Sequence, residues 1–146
     1  PGAFTGVAIS NAQRAVLHHV HIDRAATGLR IANSAPELKG LFISRSSQAA
    51  IHLMDNAEPS LSCSRIFDNQ GMGALLVEGI GPGPDIHFNS FSGNAPFQVQ
   101  NFSIRTVDLS RNHWENGPTS SQFLGGVLVE PPLGTSPLAT GQCAHP

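Results

Sequence analysis

The chain has 146 residues, 8 Lys and Arg against 10 Asp and Glu, a formal charge of −2 and a charged fraction of only 12%. That length suits one domain of the usual size, roughly 50 to 200 residues. The near-neutral balance, with a pI near 6.4, excludes the basic footprint of a nucleic-acid binder and an electrostatic membrane anchor, and nowhere do apolar residues run on for the ~18 positions of a membrane-crossing helix.

Along the chain, short alternating apolar stretches begin at Val7-Ala8-Ile9 and return at Leu29-Arg30-Ile31, Ile51-His52-Leu53, Leu75-Leu76-Val77 and Phe97-Gln98-Val99. Apolar positions two apart are strand spacing, and no window sustains a helical pattern. A turn position closes each stretch: Asn11, Asn33, Asp55, Gly79 and Asn101. A second apolar series follows at Leu17, Leu38, Leu61, Ile86 and Leu109. Three residues on come Val20, Leu41, Ser64, Asn89 and Asn112, and two further come Ile22, Ile43, Ile66, Phe91 and Trp114. The kinds of residue thus recur every 21 to 25 positions, a period that means stacked units, none able to bury its apolar face alone.

Units this short, built of strands and turns, suit an all-β coil in which each turn of chain is one rung and like side chains stack about 4.8 Å apart. The expected fold is a parallel β-coil, a solenoid of about five rungs. A single domain spans 1–146: repeated rungs over 6–117, a closing partial rung over 118–133 and an extended Pro-rich tail over 134–146. Asn11, Asn33, Asp55 and Asn101 are expected to form a structural ladder at one bend, since short polar side chains bond neighbouring amides and turn backbone there. Gly79 breaks that ladder where Gly79-Ile80-Gly81-Pro82-Gly83-Pro84 replaces the usual turn, and this insertion is expected to bulge outward.

Two stretches, Ser64-Arg65-Ile66-Phe67-Asp68-Asn69 and Ile86-His87-Phe88-Asn89-Ser90-Phe91-Ser92-Gly93-Asn94, resemble the strand-and-turn motif of the right-handed parallel β-helix repeat proteins, a group with a pectate-lyase-like fold. Asn112-His113-Trp114, with the later Gly126-Val127-Leu128-Val129-Glu130-Pro131, is similar to that group's closing turn and final strand. The resemblance spans roughly residues 6 to 133. It implies pectin-degrading enzymes, phage tailspikes or bacterial surface and periplasmic proteins as relatives, and it speaks for fold rather than activity.

Candidate sites follow from the stacking. His18-His19-Val20-His21 invites a metal, but tetrahedral zinc needs three or four converging ligands. In the stack His18 shares its column with His87, and His21 with His113, several rungs away, so His18 and His21 offer at most a two-ligand surface site. The outward columns of the first strand read Ala8, Arg30, His52, Leu76, Gln98 and Ser10, Ala32, Met54, Glu78, Gln100, with Glu78 their one carboxylate. The other acids are scattered over separate turns, so neither the carboxylate pair of a glycoside hydrolase nor the calcium cluster of a polysaccharide lyase is expected, and no cofactor or metal is assigned. Alternation sends Phe91, Phe97 and Trp114 inward. It sends Phe42 outward beside His21 and Arg65, a small surface contact patch that Leu76 and Met54 would extend. Cys63 and Cys143 permit one disulfide, which would pin the tail to the coil in an oxidising compartment. Without it Cys63 is a small buried residue and Cys143 a free thiol.

A parallel coil leaves unpaired backbone and an open apolar cross-section at each end. Phe123-Leu124 and Val127-Leu128-Val129 are expected to close the last rung, with Pro131, Pro132 and Pro137 stopping further pairing. Before the first rung stand only Pro1 to Thr5, and the start at Pro1-Gly2 reads as a processed or excised segment of a longer precursor. The expectation is a non-catalytic structural or adhesive module, extracellular or in the cell envelope, stacking on further rungs or another copy of itself, even into a filament. The alternative is a β-helix that binds or processes a polysaccharide.

Overall fold

A computed structural model describes residues 5–12, 14–139 and 143. The chain winds through about five coils of three short strands each. The first coil holds β1 (Val7–Ser10), β2 (Val16–His18) and β3 (His21–Asp23), and the second β4 (Thr27–Ala32), β5 (Glu37–Lys39) and β6 (Phe42–Ser44). The third holds β7 (Ala49–Met54), β8 (Ser60–Ser62) and β9 (Arg65–Phe67), and the fourth β10 (Leu75–Val77), β11 (Asp85–Ile86) and β12 (Ser90–Ser92). β13 (Val99–Asn101), β14 (Val107–Asp108) and β15 (His113–Trp114) make the fifth, and β16 (Phe123–Leu124) and β17 (Val127–Leu128) a partial sixth. Each strand pairs in parallel with its counterpart one coil away, giving three faces: β1-β4-β7-β10-β13-β16, then β2-β5-β8-β11 with the separate pair β14-β17, and β3-β6-β9-β12-β15. One 3-10 turn, Ser120–Gln122, is the only helical piece among the described residues. The protein is an all-β parallel solenoid.

Apolar residues at alternate positions fill the bore. Leu29, Ile31 and Leu53 are sealed from solvent, and the third face contributes the column Ile22, Ile43, Ile66, Phe91 and Trp114. That column keeps one side chain over three coils and widens at the last two, Phe91 and Trp114. Phe91 stacks on Trp114 with ring centroids 4.4 Å apart, and Trp114 meets the edge of Phe123 at 4.9 Å.

The pairing of the fifth coil differs from a constant step. Val99 lies against Leu75, Gln100 against Leu76 and Asn101 against Val77, where the sequence pattern set Phe97, Gln98 and Val99 in those places. The cause is the turn over 79–84, which lengthens the fourth coil and delays the next strand by two residues. Phe97 is accordingly half-buried rather than central. The insertion itself projects only at Pro82 and Gly83. Ile80 is buried, bridged to Ala57, and the flank of Gly81 is filled by the Glu58 carboxylate, which leaves no room for a side chain there.

Asn11, Asn33 and Asp55 occupy one bend in the left-handed region, at φ of 53°, 49° and 54°, which Asn and Asp tolerate better than other side chains. Asn33 Nδ2 donates to Asn11 Oδ1 at 2.8 Å. Asn101 does not join them. Shifted to the level of Val77 it turns inward, donating to the carbonyls of Arg105 and Gly126 at 2.8 Å and accepting from the Ser103 amide at 2.9 Å.

Two further ladders run inside the coil. Asn89 Oδ1 accepts from the Ser64 amide at 3.0 Å, Asn112 Oδ1 from the Asn89 amide at 2.9 Å, and Ser64 Oγ from the Leu41 amide at 3.0 Å. At the next bend Asn94 Oδ1 accepts from the Asn69 amide at 3.0 Å, and Asn69 Oδ1 from the Ser46 amide at 2.9 Å. The three asparagine amide groups at Asn69, Asn89 and Asn112 also donate to carbonyls of their own bends and of the preceding coil. Buried turn amides that strand pairing cannot reach are satisfied this way, which is what makes a sharp corner tolerable inside an apolar bore.

Candidate functional site

At the first coil Val7, Ile9, Leu17 and Val20 are only partly buried, whereas their second-coil counterparts Leu29, Ile31, Leu38 and Leu41 are at most 1% exposed. Val16 is 61% exposed. No described residue covers the outer edges of β1, β2 and β3. Pro1 to Phe4, expected at this end, lie outside the described residues. The other end is closed differently: β16 and β17 extend two faces, Phe123, Val127 and Val129 pack on the core, and Leu133 donates its amide to Asn112 O at 2.9 Å. Pro131 and Pro132 stand just before Leu133, and neither has an amide to offer a further strand.

On the outer side of the first face the column is Ala8, Arg30, His52, Leu76, Gln100 and Leu124, so Gln100 stands where the sequence pattern put Gln98. His52 Nε2 meets Glu78 Oε1 at 2.6 Å. A groove of about 490 Å³ runs beside them, bounded by Thr27, Arg30, Gln48, His52, Met72 and Leu76. The pair is one carboxylate and one imidazole, and among the described residues no second carboxylate lines the groove.

On the third face the expected patch is partly formed. His21 stacks on Phe42 with centroids 4.8 Å apart. Arg65, although paired beside Phe42, lays its guanidinium over Phe67 at 4.1 Å instead. Leu76 and Met54 belong to the first face and do not extend the patch. The tail adds what the sequence did not foretell: Ser136, Leu138 and Ala139 stand opposite Phe42, Arg65 and His113 across a trough. Cys143 is joined by a disulfide to Cys63, on the bend between β8 and β9, with Cα atoms 5.4 Å apart. The tail is thus a strap across this face.

The remaining ionisable groups are dispersed. His18 Nε2 meets Glu37 Oε2 at 2.7 Å, and His87 Nδ1 donates to Ser110 O at 2.6 Å. His18 and His21 take separate partners and do not converge. No cluster of three metal-ligating side chains occurs among the described residues. Asp23 takes a two-pronged bond from Arg45, Nε to Oδ1 at 2.8 Å and Nη2 to Oδ2 at 2.5 Å, with Ser44 Oγ donating at 2.9 Å. The Arg45 guanidinium above all holds the Asp23 carboxyl below the usual range. At Asp108 the Ser110 amide, then its hydroxyl, lowers the carboxyl in the same sense.

No family model, curated protein or solved structure matches this chain. The class the structure defines is a parallel β-solenoid with a strap on one face and a first coil that no described residue covers.

Proposed function

We propose that this solenoid is a non-catalytic structural or adhesive module of an extracellular or cell-envelope protein, docking end-on through its first coil onto further coils or a second copy. The observation that carries this reading is the half-buried set Val7, Ile9, Leu17 and Val20 beside three strand edges that no described residue covers. An apolar cross-section and unpaired backbone at one place are what a further rung would cover. The Cys63–Cys143 bond supports an oxidising compartment. The right-handed, pectate-lyase-like kinship read from Asn89 to Asn94 and Asn112 to Trp114 belongs to this same proposal. Light scattering and electron microscopy test it. Concentration-dependent association that Ile9→Glu abolishes supports end-on docking, and a monodisperse monomer at every concentration refutes docking of a second copy.

A second reading, polysaccharide binding or processing, is favoured by the groove beside His52 and Glu78. A glycan array and a depolymerisation assay decide it. Binding or activity lost in Glu78→Gln or His52→Ala would displace the structural reading.

A further inference from the structure

We propose that the trough between the third face and the C-terminal strap is a binding site for an elongated organic anion, with its charged group at Arg65 and its apolar body under the strap. The trough holds about 390 Å³, within the range of small-molecule sites. Phe42, Arg65, Ser90 and His113 form its floor in register on successive coils, so it runs along the stack for about 14 Å at about 4.8 Å per step. Leu138 and Ala139 supply an apolar wall opposite.

Its chemistry is one-sided. Arg65 rests one face of its guanidinium on Phe67 and has no carboxylate within ion-pair distance among the described residues, which leaves the edge N–H groups as a fork for an oxyanion. Phe42 has one ring face on His21, and the level beyond its other face is that of Arg65, whose head has moved aside to Phe67. An aromatic ring in the trough wall beside a cation with no acidic partner among the described residues fits a flat ligand carrying a carboxylate or sulfonate. At the far end the floor is the ring of His113. Glu115, also in the trough, already accepts from the Gly93 amide at 3.2 Å and disfavours an anion at that end, so the ligand has one orientation. The strap belongs to the site because Cys143 ties it down.

The probe is 1-anilinonaphthalene-8-sulfonate, titrated by fluorescence into the oxidised full chain, with neutral N-phenyl-1-naphthylamine beside it. We expect one saturable site for the sulfonate, weakened about tenfold or more by Arg65→Gln, the loss that follows removal of charge-assisted hydrogen bonds. Arg30→Gln, on the other groove, should leave it unchanged, and the neutral dye should bind both forms alike. Reducing the Cys63–Cys143 bond with dithiothreitol, which leaves two thiols and oxidises the reagent, should weaken binding by freeing the wall. Circular dichroism checks that Arg65→Gln is folded, and Arg65→Lys, which keeps the charge but not the fork, should fall between. No saturable binding, equal affinity in Arg65→Gln, or equal loss in Arg30→Gln would overturn the proposal.

Discussion

Replacing Asn89 by Ala tests whether the internal amide ladder holds the coil together. Asn89 is 0% exposed. Its Oδ1 accepts from the Ser64 amide at 3.0 Å, and its Nδ2 donates to Leu61 O at 3.0 Å, His87 O at 3.1 Å and Asn112 Oδ1 at 3.1 Å. Truncation does not orphan all of these groups equally. Leu61 O keeps the His87 amide at 3.2 Å, and Asn112 Oδ1 keeps the Asn89 amide at 2.9 Å. The Ser64 amide loses its acceptor in a residue that is 0% exposed. One buried donor left bare costs about 1–3 kcal/mol, and the weakened bonds around it contribute about 1 kcal/mol more. A total of about 2–4 kcal/mol is expected, read as a lowered midpoint in urea denaturation at unchanged slope. Asn33→Gly is the control: Gly keeps the left-handed φ of 49°, the side-chain bond it removes is exposed, and about 1 kcal/mol or less should follow. Equal midpoints for the two variants would mean that the internal ladder is ornament and that the apolar columns alone hold the corners.

The inward and outward faces are checked by a neighbouring pair: Ile31→Asp places a carboxylate in a position that is 0% exposed and should prevent folding or cost several kcal/mol, while Arg30→Asp is mild; similar melting of both would refute the assignment. For pH, the Asp23 carboxyl is depressed by Arg45, so the pair's stabilisation is complete above the unfolded-state value and is lost as pH falls through the lower folded one. Arg45→Gln should therefore move the Asp23 carboxyl resonance to titrate at higher pH, and an unmoved titration would count against the two-pronged bond. Cys63 and Cys143 are separated by 80 residues, for which chain-entropy arguments give about 4 kcal/mol; Cys143→Ser should lower the thermal midpoint, and an unchanged midpoint would show that the strap contributes nothing.

Most of the fold is legible in the spacing because parallel stacking forces like residues into columns. Ile22, Ile43, Ile66, Phe91 and Trp114 are aligned by count alone, and their pairing in the structure is the same. The count fails at the fifth coil, since a constant step has no means of allocating the extra residues of 79–84 between turn and strand. Asn101 shows the consequence: a two-residue shift keeps strand alternation intact, so nothing in the local pattern signals that the ladder has ended. The internal ladders had a visible trace in Ser64, Asn89 and Asn112 at an otherwise apolar column, a polar residue where burial demands a partner. The His52–Glu78 contact and the Asp23–Arg45 fork cross between coils at positions that are not strictly level, so a column-by-column reading passes over them. The strap depends on where an irregular tail travels, which periodicity does not encode.

The widening column from Ile22 to Trp114 has an evolutionary corollary. A gene that grows by copying one turn would begin with interchangeable parts; Ile22, Ile43 and Ile66 still repeat one side chain, but the Phe91 and Trp114 floors cannot be exchanged with those three. Moving the Trp114 turn up beside Ile22 would crowd a narrow storey, and lowering the Ile22 turn to the far end would leave Phe123 facing a void. Turns copied from one another would have needed resizing at the last two floors alone, so the place of those two is written in the girth of their side chains.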